Sequence, residues 1–297
     1  MKLQEQVNYN KIKTWLIMLL FAVLIPTVVY IFVKALGYSL SYVWIALFFS
    51  VLTSIGSFYF SDKLVLATAG AKPATKEQYP EYFSIVEKLS KEDGLPMPKL
   101  YVINDSSMNA FATGRSPQNA VVAATSGILE NMNRTELEGV LAHELSHVKN
   151  FDIRLMAIVS VLVGFIAMLS NIFMNSLFFG GNRDRDEKNN SQAIFLVIGI
   201  IFAILTPLVA TLIQLAVSRK REFLADASGA LLTKYPEGLA LALVKLEKDT
   251  KPLKNANNAT AHLFITNPFK AKSKDWITSL FMTHPPLEER IKILRSM

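Results

Sequence analysis

Apolar residues in this chain run in uninterrupted blocks more than in any periodic pattern. Residues 14–33, 35–61, 155–182 and 189–218 contain no Asp, Glu, Lys or Arg. A helix needs about 20 residues to cross a bilayer, and helices of globular domains keep a polar face over such lengths. The four blocks are therefore predicted to be transmembrane helices. The first follows Lys2, Lys11 and Lys13, but its apolar run is longer than a signal-peptide core and no small-residue cleavage site follows. It is expected to remain in the mature protein. Asn171 and Asn175, four apart in the third block, suit hydrogen bonding between membrane helices.

Between and after the blocks the pattern changes. Tyr82, Phe83, Val86 and Leu89 recur at helical spacing and are stopped by Gly94, Pro96 and Pro98. Residues 99–103 and 120–124 are short and β-rich, with 109–113 as a further strand between them. Asn133 and Glu136 stand at capping-box spacing, so a helix is expected from there through Leu137, Val140 and Leu141 to Lys149. Residues 222–232 read as helical, Pro236 suits the first turn of another helix, and Pro286 opens a last one through Ile291 and Leu294. Residues 251–275 are rich in Asn, Lys and Ala, show no period, and are expected to form a loop.

These readings divide the chain into an N-terminal membrane hairpin (1–61), a first polar part (62–154), a second membrane hairpin (155–217) and a second polar part (218–297). The two polar parts are expected to assemble into one domain of α+β type. With the N-terminus inside, ten basic residues near the block ends fall on the inner side, Lys11, Lys13, Lys149 and Arg221 among them. Only Lys34, Arg183, Arg185 and Lys188 fall outside. The excess predicts cytosolic termini and a cytosolic domain on a cell membrane.

One short segment carries chemistry. His143-Glu144-Leu145-Ser146-His147 is an H-E-x-x-H sequence within a predicted helix. Residues four apart lie on one face about a turn apart, so both imidazoles can reach one metal ion. Glu144, beside the first of them, can take a proton from water at that metal. A catalytic zinc needs a third protein ligand, for which Glu222, Asp226, His262 and His284 are candidates. Glu222 and Asp226 are four apart on a predicted helix, so one can bind metal while the other orients a ligating histidine. Glu222 follows the fourth block as His147 precedes the third, and a membrane hairpin would bring them together. From composition alone, Glu222 can equally be a solvated partner of Arg219. His262, beside Asn257, Asn258 and Thr260, reads as structural, and His284 ahead of Pro285 and Pro286 as either structural or catalytic.

Composition narrows the classes further. Half the chain is apolar (51%) and the formal charge is +7, which suits an anionic lipid surface; no nucleic-acid recognition motif accompanies the charge. The absence of cysteine excludes disulfides and thiolate chemistry.

The chain resembles the HtpX-type membrane metalloproteases of peptidase family M48, relatives of the CAAX prenyl endopeptidases. The resemblance rests on Asn109-Ala110-Phe111-Ala112-Thr113-Gly114, on the H-E-x-x-H segment with Asn150 and Asp152, on the residues around Glu222, and on Thr283-His284-Pro285-Pro286. It implies four transmembrane helices carrying a zincin-like (gluzincin) domain. It also implies one zinc per chain on His143, His147 and Glu222, with Glu144 as general base and Asp226 orienting a ligating histidine. His284 is implied as a transition-state contact. Asn109, Ala110, Phe111 and Ala112 are implied as the edge strand that pairs with an extended substrate. The implied activity is endoproteolysis of unfolded or damaged proteins in quality control and stress response. The competing readings are a prenyl-protein endopeptidase, a non-enzymatic membrane scaffold and a transporter; the last is disfavoured because the apolar blocks carry no ionisable groups.

Overall fold

The computed structural model of the chain describes residues 3–36, 39–179, 219–270 and 285–297, with side chains in the helix ending at 179 described as far as Met168. The expected fourth span, 189–218, lies outside the described residues, as do His284 and the side chains of Asn171 and Asn175.

Helices α1 (Leu3–Leu36) and α2 (Ser41–Ala69) pack as a hairpin, and Val7–Tyr30 and all of α2 are long and apolar enough to cross a membrane. Helix α1 is apolar on its buried face, with Ile17, Met18, Phe21 and Ile25, and on its outer face too, while α2 is inverted relative to a water-soluble helix over much of its length. Trp15, Leu16, Leu19, Trp44, Phe48 and Phe49 point outward, while Ser50, Ser54, Ser57 and Ser61 line the buried face. Small side chains let the two backbones approach, and the Ser50 and Ser54 hydroxyls donate to the Ala22 and Met18 carbonyls at 3.3 and 3.5 Å. Helix α2 does not stop at the charges of Asp62 and Lys63 but runs on to Ala69 and ends at Gly70, whose φ of 68° is the left-handed value favoured at helix C-termini. Where the third span is expected, α6 (Asp152–Phe179) packs on both α1 and α2.

A four-stranded sheet follows, with strands β1 (Ala71–Pro73), β2 (Lys99–Ile103), β3 (Ala110–Thr113) and β4 (Val121–Thr125) in the order β1-β2-β4-β3. β2 and β4 are parallel, and the outer pairs are antiparallel. Alternate residues serve two different cores. Leu100, Val102, Ala110, Ala112, Val122 and Ala124 join the helices of the polar domain. Ile103, Phe111, Val121 and Ala123 turn the other way, into a core shared with α1, α2 and α6. The strands are therefore apolar at nearly every position, as in a sheet covered on both faces. The three strands expected from the sequence are present, β4 shifted by one residue; β1, only three residues long, has no sequence signal of its own.

The remaining described helices are α3 (Pro80–Glu92), α4 (Ser126–Asn131), α5 (Arg134–Lys149), α7 (Arg219–Thr233), α8 (Pro236–Lys248) and α9 (Leu287–Leu294). Helix α5 runs through the middle, with α3, α7, α8 and β3 packed around it. It starts with the expected capping box: the Glu136 N–H donates to Asn133 Oδ1 at 2.9 Å, and the Asn133 N–H donates to Glu136 Oε2 at 2.8 Å. At its far end the chain bends by 83° through Asn150 and Phe151 into α6. Phe151 takes a φ of 59°, unusual for a bulky residue, with Lys11 and Arg154 over its ring.

The stretch expected as a featureless loop is packed over its described part. Leu253, Leu263 and Phe264 are buried in the core shared with the membrane helices. His262 is buried in a 3-10 turn with Nε2 3.2 Å from the Met156 carbonyl and 3.3 Å from the Ser160 hydroxyl of α6. Its surroundings are those of a structural histidine.

Candidate metal centre

His143 and His147 project from one face of α5, with their Nε2 atoms 3.2 Å apart. Helix α7 crosses α5 close by because of Gly229: a Cβ there would lie 3.0 Å from the His143 backbone nitrogen. That approach brings Glu222 in, with Oε2 3.8 Å from His143 Nε2 and Oε1 3.6 Å from His147 Nε2. Glu222 is 2% exposed and faces the two histidines, so the alternative of a solvated partner for Arg219 does not describe it. Candidate ligand atoms of His143, His147 and Glu222 all fall within 4.8 Å of one another. Ligand atoms held about 2.0–2.1 Å from a tetrahedral zinc lie roughly 3.3 Å apart. The observed spacings fit a single small divalent ion.

The outer ring nitrogens fit the same reading. His143 Nδ1 is 2.9 Å from Asp226 Oδ1, and His147 Nδ1 is 3.0 Å from Asp152 Oδ2. Each imidazole is thereby held with Nδ1 on a carboxylate and Nε2 toward the common centre, the arrangement that fixes a ligating histidine's tautomer and orientation. Two arginines complete the set. Arg290, on α9 and fully buried, grips Asp226 with Nε at 2.8 Å and Nη2 at 2.7 Å, and its Nη1 lies 3.6 Å from Glu222 Oε2. Arg221 reaches Asp152 Oδ1 at 3.3 Å. Three carboxylates face two guanidiniums before Glu144 is counted, so the pocket favours added positive charge.

Asp226 stands out in the sequence; Arg290 and the part played by Asp152 emerge only in the structure. Asp152 carried a signal, five residues beyond His147 in the same motif; Arg290 reads in sequence as one more charge on a short polar helix.

Burial raises the Glu144 carboxyl to about 7, helped by the Glu222 charge and opposed by His147, the Ala112 N–H and Arg290. For His147, burial works against the charged ring, but the Asp152 bond and the charges of Glu222, Asp152 and Glu144 prevail and lift it to about 9. His143 moves the other way: burial and the Arg290 charge hold it below the usual range despite Asp226. A carboxyl poised near neutrality can both take and return a proton.

The expected substrate strand is β3, at the edge of the sheet. Its outward Ala112 N–H donates to Glu144. The Ala110 carbonyl accepts from the Ile265 N–H at 3.0 Å. Asn109 donates through Nδ2 to the Thr266 carbonyl at 3.0 Å, and Phe111 packs edge-on against Phe264. Half of the strand's outer side is thus already paired with the chain's own 264–266 segment, and the Ala112 end lies next to Glu144.

Residues 77–297 match the profile of peptidase family M48. A protein named Protease HtpX homolog from Dictyoglomus turgidum is 44% identical over 293 residues, covering 99% of this chain and 94% of the relative. A second, of the same name, from Thermoanaerobacter pseudethanolicus is 43% identical over 290 residues, covering 97% of this chain and 95% of the relative. Another from Streptococcus gordonii is 39% identical over 305 residues, covering 99% of each. The crystal structure of S. mikatae Ste24p superposes with a TM-score of 0.50 at 21% identity, covering 95% of this chain and 67% of that one, a likeness of fold. With a buried His-His-Glu cluster on an H-E-x-x-H helix, membrane-length helices beside it and these relatives over almost its whole length, the chain belongs to peptidase family M48 as a membrane-bound metalloendopeptidase.

Proposed function

We propose that this metalloendopeptidase uses zinc, held by His143, His147 and Glu222, to hydrolyse unfolded or damaged proteins on the cytosolic side of a cell membrane. The observation that carries the assignment is the convergence of two imidazole Nε2 atoms and one carboxylate at 3.2 to 3.8 Å, each imidazole backed by its own carboxylate. Nitrogen and oxygen donors in a three-ligand set suit zinc and leave one position open.

Bound there, zinc supplies Lewis acidity that activates a water and polarises the scissile carbonyl. Glu144, buried beside His143, takes a proton from the attacking water and returns it to the leaving amine. Asp226 keeps His143 in register and Asp152 does the same for His147. His284, six residues ahead of Arg290 in the chain, is assigned the oxyanion, where such donors contribute a few kcal/mol. Of the expected substrate strand, the Ala112 end is the part along which an extended peptide pairs, because Asn109, Ala110 and Phe111 are engaged by residues 264–266. Main-chain pairing is indifferent to side chains and selects unfolded segments, which supports a role in membrane-protein quality control and stress response. Four membrane helices, with both termini and the zincin-like domain in the cytosol, fit the charge distribution.

The test is cleavage of an unfolded protein by chain purified in detergent under chelator and then given zinc. Wild type should cleave only with zinc. Glu144→Gln should bind zinc yet lose 10²-fold or more of the rate. Folded, zinc-loaded wild type that cleaves no faster than Glu144→Gln would overturn the proposal; preference for farnesylated over plain peptides would favour the prenyl-protein endopeptidase instead.

A further inference from the structure

We propose that Asn10, on the first membrane helix, is a positioning residue of the metal centre: it holds Asp152, which holds His147. The membrane hairpin is then a component of the site as well as its anchor. This rests on the reading of His147 as a metal ligand.

Asn10 stands where α1 passes under the polar domain and is 1% exposed. Its side chain is fully engaged with elements far away in sequence. Nδ2 donates to Asp152 Oδ1 at 2.7 Å and to the Asn150 carbonyl at 2.9 Å. Oδ1 accepts from Arg221 Nη1 at 3.3 Å, and the same Arg221 nitrogen reaches Asp152 Oδ1 at 3.3 Å. Asp152 thus has one oxygen fixed by Asn10 and Arg221 and the other on His147 Nδ1 at 3.0 Å. Asn10 joins α1 to the first residue of α6 and to α7 one residue before Glu222. An amide is the side chain for this place, since it alone combines two donors and an acceptor without charge. A helix meant only to cross lipid has no use for it.

Asp152 needs both partners to stay directed at His147. Without Asn10 it keeps Arg221 but loses its shortest bond, and it is free to turn away from His147. Partners of this kind typically alter metal affinity ~10- to 100-fold when removed.

The experiment uses the full-length chain in detergent micelles, stripped with chelator and titrated with Zn²⁺ against a chromophoric competitor, with Co²⁺ absorption as a report on ligand geometry. Three variants are compared with wild type: Asn10→Ala, Asp152→Asn and the double substitution. Thr14→Val is the control; Thr14 lies one turn along on the same buried face, and among the described residues its hydroxyl is bonded to the Asn10 carbonyl. Asn10→Ala should weaken Zn²⁺ binding ~10-fold and alter the Co²⁺ spectrum, and Thr14→Val should do neither. The double variant should lose less than the sum of the singles, because both changes break one chain of contacts. If Asn10→Ala does not fold, Asn10→Ser, too short to reach Asp152, replaces it. Wild-type affinity and spectrum in a folded Asn10 variant, or strictly additive losses, would overturn the inference. A wild type that binds no metal would instead overturn the metal-centre reading beneath it.

Discussion

Arg290 and Asp226 meet in a two-pronged ion pair, with guanidinium nitrogens 2.8 and 2.7 Å from the carboxylate and neither side chain more than marginally exposed. The same carboxylate faces His143 at 2.9 Å, so the C-terminal helix is clamped onto the metal centre through one side chain. Removing one member of a buried pair strands the other. Arg290→Gln is therefore expected to cost about 3–5 kcal/mol of stability and to weaken zinc binding. Arg290→Lys keeps the charge but not the fork and should recover only part of both. Thermal unfolding and zinc titration of the two variants check this.

Asp226 also sets an acid limit. Burial opposes its charge, but Arg290 and the His143 bond hold it near 2, below the usual carboxylate. The folded chain keeps Asp226 ionised further into acid than the unfolded chain does, so unfolding takes up a proton. That contribution, about 2 kcal/mol, is complete above about pH 4 and is lost as pH falls from there toward 2. The melting midpoint of wild type should drop across this window more steeply than that of Asp226→Asn.

Zinc is expected to stabilise the fold, because its three ligands come together only in the folded chain. At a thousandfold excess over Kd the gain is about 4 kcal/mol. Chelator should lower the melting midpoint and zinc restore it, and His143→Ala should abolish the zinc-dependent shift while leaving a folded protein.

Gly229 sets the spacing between α5 and α7. In an open helix, Gly→Ala gains about 1 kcal/mol, but here the methyl would lie 3.0 Å from the His143 nitrogen and 3.3 Å from the Ala142 carbonyl carbon. Backbone cannot yield cheaply, so Gly229→Ala should destabilise by about 1–3 kcal/mol and reduce zinc affinity. Gly56→Ala, with nothing within 4 Å of the added carbon, should do neither.

His262 separates a structural histidine from a ligating one. Its ring nitrogen lies beside the Met156 carbonyl and the Ser160 hydroxyl, so His262→Ala should cost about 1–3 kcal/mol and leave metal stoichiometry unchanged.

The chemistry of the site was legible in sequence where it is local. His143 and His147 are one helical turn apart, and the capping box that starts their helix spans four residues; Glu222 and Asp226 are again one turn apart. Each is a short-range relationship that helical geometry converts into a shared face. Arg290 and Asn10 were not legible because their partners lie 64 and 142 residues away, and an arginine among Glu and Lys or an asparagine in a polar N-terminal segment has no local mark of burial. The 251–270 stretch is the loop expected, but its packing was not legible for a related reason. Its apolar residues follow no period because they fill gaps against α6 and β3, so its order comes from the surface that receives it.

The bend at Asn150 and Phe151 sets a distance as well as a direction. Because α5 and α6 meet at 83°, the proposed placement of α6 across the bilayer lays α5 nearly parallel to the lipid surface and holds His143 and His147 close to the level at which α6 begins. A substrate anchored in the same membrane then meets the enzyme by lateral diffusion, and the bond offered for cutting is selected by its count from the substrate's own point of exit. On that proposed placement the elbow makes the protease a ruler, measuring from the membrane surface where a chain is cut.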